Sequence, residues 1–258
     1  MMTVSESVAS AAPSPTLSIR QTFHVLWRAL LLDGGAYRSV TNASSPARAG
    51  FKVLTILYLT VGVAAALGMF LQYLTLPPLD QIQTTLQSAL TNTQLYQSWV
   101  QSGSTAAVVF DLLYRAFWLA AHLRLDYPTR AGILLAPLSI WIGGLLRWLT
   151  FAIFGEFFGR RLGGQAPRRA FWGSLAVANA PQLFYLLTVI PGMIVPSALV
   201  TGWTLLTTYQ AMRVTFPALT WKRGLAAQVL MFAVNYLFIV LAFVLGILLG
   251  VALYQRLF

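Results

Sequence analysis

The side chains in this 258-residue chain that could move protons or hold a metal are few. Its carboxylates are Glu6, Asp33, Asp80, Asp111, Asp126 and Glu156, and its histidines are His24 and His122. General acid–base catalysis needs two titratable groups converging on one reacting atom. No two of these carboxylates stand at helical spacing within an apolar run. There is no cysteine, which removes disulfides, thiolate metal sites and thiol nucleophiles. Gly155-x-x-x-Gly159 and Gly163-Gly164 are not followed by the Gly-Lys-Ser/Thr of a phosphate loop. The pattern points away from an enzyme, and neither a metal nor another cofactor is expected.

The polar residues that stand out lie inside apolar stretches. Arg147 is the one ionisable residue well within such a run. A charge at the bilayer centre costs about 2.5–3.5 kcal/mol on insertion scales, so Arg147 is either a buried counter-ion or guide for an anionic ligand, or a side chain snorkelling to the interface. Asn179-Ala180-Pro181-Gln182 interrupts another run. The proline frees a backbone carbonyl, and two amides stand beside it. This is either a broken helix lining a ligand path or a kink whose amides bind neighbouring helices. Asn235 and Gln228, or Thr201, Thr204, Thr207, Thr208 and Gln210, could supply partners. Arg147, Asn179, Pro181, Gln182 and Asn235 form the candidate intramembrane polar site.

The elements that must position these residues follow from composition. Hydrophobic residues make up 58% of the chain and charged residues only 9%. A soluble domain carries roughly a quarter charged residues, so lipid is expected to cover most of this surface. The expected fold is an all-α polytopic membrane protein with five transmembrane helices and additional amphipathic or interfacial helices. Residues 1–16 form a Ser/Ala/Pro-rich tail expected to be disordered, with no signal-peptide core in the first 50 residues, so the first span is expected to remain as an anchor. Residues 17–50 form a cytoplasmic amphipathic segment. Within it Phe23, Leu26, Trp27, Leu30 and Leu31 recur at helical spacing until Asp33-Gly34-Gly35. That helix either lies on the membrane or packs on the protein. The membrane domain covers 51–258, with spans at about 51–74, 133–154, 171–190, 194–212 and 226–253. Pro196 falls in the first turn of the fourth span. Residues 77–130 form the longest loop, helical over 81–100. Its apolar stretch 106–123 contains Asp111 and Arg115, four apart and able to pair, and is expected to lie along the outer interface.

The net charge of +11 is distributed around the spans instead of forming one nucleic-acid-binding face. Arg20, Arg28, Arg38, Arg48 and Lys52, then Arg160, Arg161, Arg168 and Arg169, then Arg213, Lys222 and Arg223 share one side in the five-span layout. Only Arg115, Arg124, Arg130 and Arg256 fall on the other. The positive-inside rule puts the N-terminus in the cytoplasm and the C-terminus outside. His24 and His122 then lie on opposite sides. The excess of Arg over Lys suits a prokaryotic cytoplasmic membrane. Arg160, Arg161, Arg168 and Arg169 either set orientation or hold anionic lipid or an acidic partner face. Gly246-x-x-x-Gly250 provides a seam for a second copy, and Gly155-x-x-x-Gly159 a second packing seam.

From Leu162 to Gln182 the chain reads Gly163-Gly164, a basic stretch at Arg168-Arg169, then Phe171–Ala180 closing on Pro181. A Pro191-Gly192 turn, a further span, a short basic loop and a last span follow. This resembles the Yip family of Ypt-interacting membrane proteins, particularly its bacterial branch. Members of that branch show Gly-Gly, a basic helix start and Ala-Pro within the next span. The resemblance implies a five-span domain over about 51–253. Eukaryotic members bind Rab-type GTPases and act in vesicle traffic, but their Asp-Leu-Tyr-Gly-Pro signature is absent, and Asp126-Tyr127-Pro128 does not replace it. The expected function is a non-enzymatic scaffold or adaptor organising membrane partners or lipids. The alternative is a small transporter or channel with a path along the broken third span.

Overall fold

The computed structural model describes residues 18–124, 127–167 and 169–257. The expected tail at 1–16, Asp126, Arg168 and Phe258 lie outside the described residues, as do the surroundings of His122, Gly250 and Arg256. The chain is all-α, 82% helical, with no strand among the described residues. It divides into two compact units. One comprises residues up to 62, 138–186 and 195 onward, and the other comprises 63–137 and 187–194.

In the first unit, α1 (Ile19–Leu30) starts on a capping box in which Ser18 and Gln21 satisfy each other's backbone N–H. Its face of Thr22, Val25, Leu26, Ala29 and Leu30 is buried on the protein. Of the amphipathic stripe, Leu26 and Leu30 are thus buried on the protein and Phe23 is half-buried, while Trp27 and Leu31, with Ile19, stay exposed. Asp33 accepts from Gly35 N at 2.7 Å to cap α2 (Gly34–Thr41) and pairs with Arg28. Tyr37 and Val40 of α2 are fully buried. They pack in a core shared with α8 (Ala170–Val177) and α9 (Ser197–Thr215). Trp203 Nε1 and Gln210 Nε2 of α9 donate to the carbonyls of Leu30 and Leu32, fixing the α1–α2 corner to the flank of α9.

Two helices among the described residues are long and apolar enough to cross a membrane: α3 (Pro46–Thr75, 30 residues) and α7 (Arg130–Arg161, 32 residues). A span needs about 20 residues. The second apolar run thus continues beyond 133–154 at both ends, and Pro137 lies within it. The third run is not one helix. After α8 the chain continues as a 3₁₀ segment, Ala180–Val189. Ten residues is long for a 3₁₀ run, and such runs mark strain or a hinge. α9 begins at Ser197 with Pro196 as its N-cap residue, so Pro196 precedes the helix instead of sitting in its first turn. The last helix, α10, covers Trp221–Leu257 and begins before the expected 226.

In the second unit, α4 (Leu79–Thr91), α5 (Gln94–Gln101) and α6 (Thr105–Arg124) account for the long loop. Phe110, Tyr114 and Trp118, spaced one turn apart, pack toward α4 and α5, and Tyr114 Oη donates to Gln83 O at 2.6 Å. Val108, Val109, Leu112, Leu113 and Phe117 are exposed. Asp111 accepts from Tyr96 Oη and does not pair with Arg115. The turn of sequence favoured the i,i+4 pair, but α5 brings a neutral donor to the same carboxylate.

Candidate functional site

The site forms where α8 gives way to the 3₁₀ segment. Pro181 has no N–H, so the α-helical ladder cannot continue through it. Backbone groups near the break find other partners. Thr207 Oγ1 donates to Ala178 O at 2.7 Å, and Ser174 Oγ donates to Ala211 O at 3.1 Å, joining the end of α8 to α9 just ahead of the bend. Asn179 is buried there, and its Nδ2 donates back to Leu175 O at 2.9 Å. That bond turns Oδ1 outward. Oδ1 then accepts from Tyr58 Oη of α3 at 2.9 Å and from Arg147 Nη2 of α7 at 3.2 Å. Arg147 Nη2 also lies 3.4 Å from Tyr58 Oη. Gly144, three residues before Arg147, makes room for this triangle, because a Cβ there would sit 2.5 Å from the Tyr58 ring.

Arg147 lies fourteen residues before the end of α7 at Arg161, about 21 Å along the axis. Its guanidinium is held by Asn179 and Tyr58 instead of running along its own helix toward water. Beside it opens a cavity of about 100 Å³. Arg147, Asn179, Gln182 and Thr208 provide its polar wall, and Trp148, Phe151 and Phe232 an apolar one. No carboxylate lines it. Gln182 is 7% exposed, and among the described residues its side-chain amide has no hydrogen-bond partner.

The structure thus brings Arg147, Asn179 and Gln182 together, with Pro181 buried beside them as the cause of the break. Asn235 is placed elsewhere: its Nδ2 donates to Thr150 Oγ1 at 2.8 Å, tying α10 to α7. Gln228 likewise serves helix packing, donating to Leu205 O at 2.7 Å. Sequence reasoning missed Tyr58, Trp148 and Phe232. Tyr58 sits in a long apolar run where one hydroxyl carries no local signal, and only the Gly144 gap lets it approach.

The arginine group is divided by the fold. Arg160 pairs with Glu156 at 2.9 Å and reaches the carbonyls of Ala166 and Pro167, holding the loop that follows α7. Glu156 also accepts from Trp172 Nε1 at 2.6 Å. Arg169, in the left-handed region at φ 60°, stacks over the Trp172 ring at 5.2 Å. Arg161 is exposed at the helix end. Gly163 and Gly164 end α7 in a Schellman arrangement, with Gly164 N donating to Gly159 O and Gly163 N to Arg160 O. The Gly155-x-x-x-Gly159 seam receives the rings of Phe171 and Phe216 from the same chain. Gly246 has open space around it.

Among the described residues no three His, Asp or Glu side chains come together. Compared with protein-family models, curated proteins and solved structures, the chain matches none.

Proposed function

We propose that this chain is a non-enzymatic, five-span membrane protein of the Yip type that acts as a scaffold, organising lipids or membrane partners in a prokaryotic cytoplasmic membrane. The observation that carries the proposal is the surface of α7. The most apolar window of this 32-residue helix is only 17% buried within the chain, so lipid or partner helices must solvate the rest. Charge placement around the apolar runs supports the five-span orientation, and the bent α8–3₁₀ segment, α9 and the apolar α10 supply the three further crossings. α1 adds a contact with the cytoplasmic leaflet. Ile19, Phe23, Trp27 and Leu31 form a stripe along its outer side, and Arg20, His24 and Arg28 follow one residue behind. An apolar stripe beside a cationic one suits the boundary between acyl chains and anionic headgroups.

The test is pull-down of the tagged full chain from native membranes, followed by mass spectrometry, with solute flux measured in proteoliposomes. A scaffold retains a specific partner or lipid and moves no solute. Flux without a retained partner would overturn the scaffold reading in favour of a small transporter or channel. That second reading draws on the polar cavity at the helix break, since broken helices line substrate paths in transporters.

A further inference from the structure

We propose that the cavity between α7, α9 and the 3₁₀ segment is a binding site for an oxyanion, a carboxylate or phosphate group carried on an apolar body. The case starts with unspent donors. A guanidinium has five N–H groups. Arg147 uses only Nη2 within the protein, so Nε and Nη1 retain their donors. Asn179 is neutral and leaves the cationic charge uncompensated, and no Asp or Glu lines the cavity. Arg147 stays exposed at the edge of the cavity within an apolar run, and a cation with no compensating carboxylate there attracts an anion.

The neighbouring groups match the same ligand. The Gln182 amide is nine-tenths buried, faces the cavity and lacks a protein partner. Thr208, a buried residue, also lines the cavity, and its hydroxyl makes no hydrogen bond to the described residues. Buried polar groups are ordinarily satisfied, so these donors mark where ligand or water oxygens belong. A planar guanidinium fork favours oxygens of carboxylate or phosphate over a spherical halide. The opposite wall of Trp148, Phe151 and Phe232 would carry apolar atoms. The cavity, at about 100 Å³, far exceeds the ~10–15 Å³ needed for one water. Asn179 and Tyr58 are positioning residues, since they hold one edge of the guanidinium and leave the other edge free. The inference requires neither transport nor the scaffold role, because binding is measurable without flux or a partner.

An anionic lipid headgroup and a free anionic solute share this chemistry, and two arms separate them. The full chain, purified in a neutral detergent, is titrated with inorganic phosphate or acetate in one arm. In the other it receives mixed micelles containing phosphatidylglycerol, with phosphatidylcholine as control. Thermal midpoint and Trp fluorescence report binding. Saturable stabilisation is expected in at least one arm, by phosphatidylglycerol alone if the source is lipid. Arg147→Gln should weaken it at least tenfold, Arg147→Lys less, and the distant surface change Arg115→Gln not at all. If Arg147→Gln does not fold, Gln182→Leu and Thr208→Val keep the cation and should each weaken binding several-fold. Absence of saturable binding in both arms overturns the proposal. So does equal weakening by Arg115→Gln and Arg147→Gln, or unchanged affinity in Gln182→Leu and Thr208→Val together.

Discussion

Asn179, itself buried, accepts two hydrogen bonds through one oxygen, from the buried Tyr58 and from Arg147. Asn179→Leu leaves both donors without that acceptor, and a stranded buried donor costs about 1–3 kcal/mol. The variant should unfold at a lower temperature in detergent than the parent, with Tyr58→Phe showing a smaller loss because it removes a donor and leaves the acceptor partly served. An Asn179→Leu melt matching the parent would show that the triangle contributes nothing to stability. At the exposed α1–α2 corner, Asp33 is held below the ordinary carboxylate range, first by the Gly35 N–H and then by Arg28. A folded-state value below the unfolded one means the carboxylate stabilises the fold above the unfolded value. That stabilisation is lost as pH falls through the folded value. Asp33→Asn should therefore differ most from the parent near neutral pH, and the two should converge in acid. A constant difference across that range would contradict this account.

At the scale of elements, the end of α7 depends on two consecutive glycines with different duties. Gly163 adopts φ +99°, where a side chain is strained, and a Cβ on Gly164 would lie 2.6 Å from Gly159 O and 2.7 Å from the Phe216 ring. Gly163→Ala should cost about 1–2 kcal/mol, the usual left-handed penalty. Gly164→Ala should cost more, because it meets backbone and a packed ring together. Denaturant unfolding of the two variants checks the order, and a smaller loss for Gly164→Ala would show that Phe216 yields. α6 is apolar on two sides. Its Phe110–Tyr114–Trp118 side is occupied by α4 and α5, while Leu112, Leu113 and Phe117 remain exposed. If this outer face lies on the membrane interface, spin labels at Val109, Leu112 and Leu113 should show lipid contact, and one at Arg115 water. Uniform burial at bilayer depth from 108 to 119 would instead make α6 a further span.

For the whole molecule, the decisive quantity is sidedness. The chain has no native cysteine, so single introduced cysteines report cleanly. The five-span proposal predicts that cysteines at Ser45 and Gln165 are labelled only from the cytoplasm, and one at Gln87 only from outside. Labelling of Gln87 and Gln165 from the same side would remove the proposed topology.

The helical class was legible in the sequence alone, because low charge and long apolar runs leave the backbone few ways to satisfy its hydrogen bonds. Two of the runs, at α3 and α7, needed nothing more than length and apolarity. The break at Asn179–Gln182 was also legible, because proline removes a backbone donor wherever it stands. Tertiary structure decided the rest, since it depends on which side chains arrive from distant turns. It gave part of the amphipathic face of α1, Leu26 and Leu30, a protein partner, and it divided Arg160, Arg169 and Arg161 between a loop tie, a ring stack and solvent. It filled the Gly155–Gly159 seam with aromatic rings. It also sent Asn235 to Thr150 and brought Tyr58 to Asn179 across 121 residues, where no local pattern could have placed it.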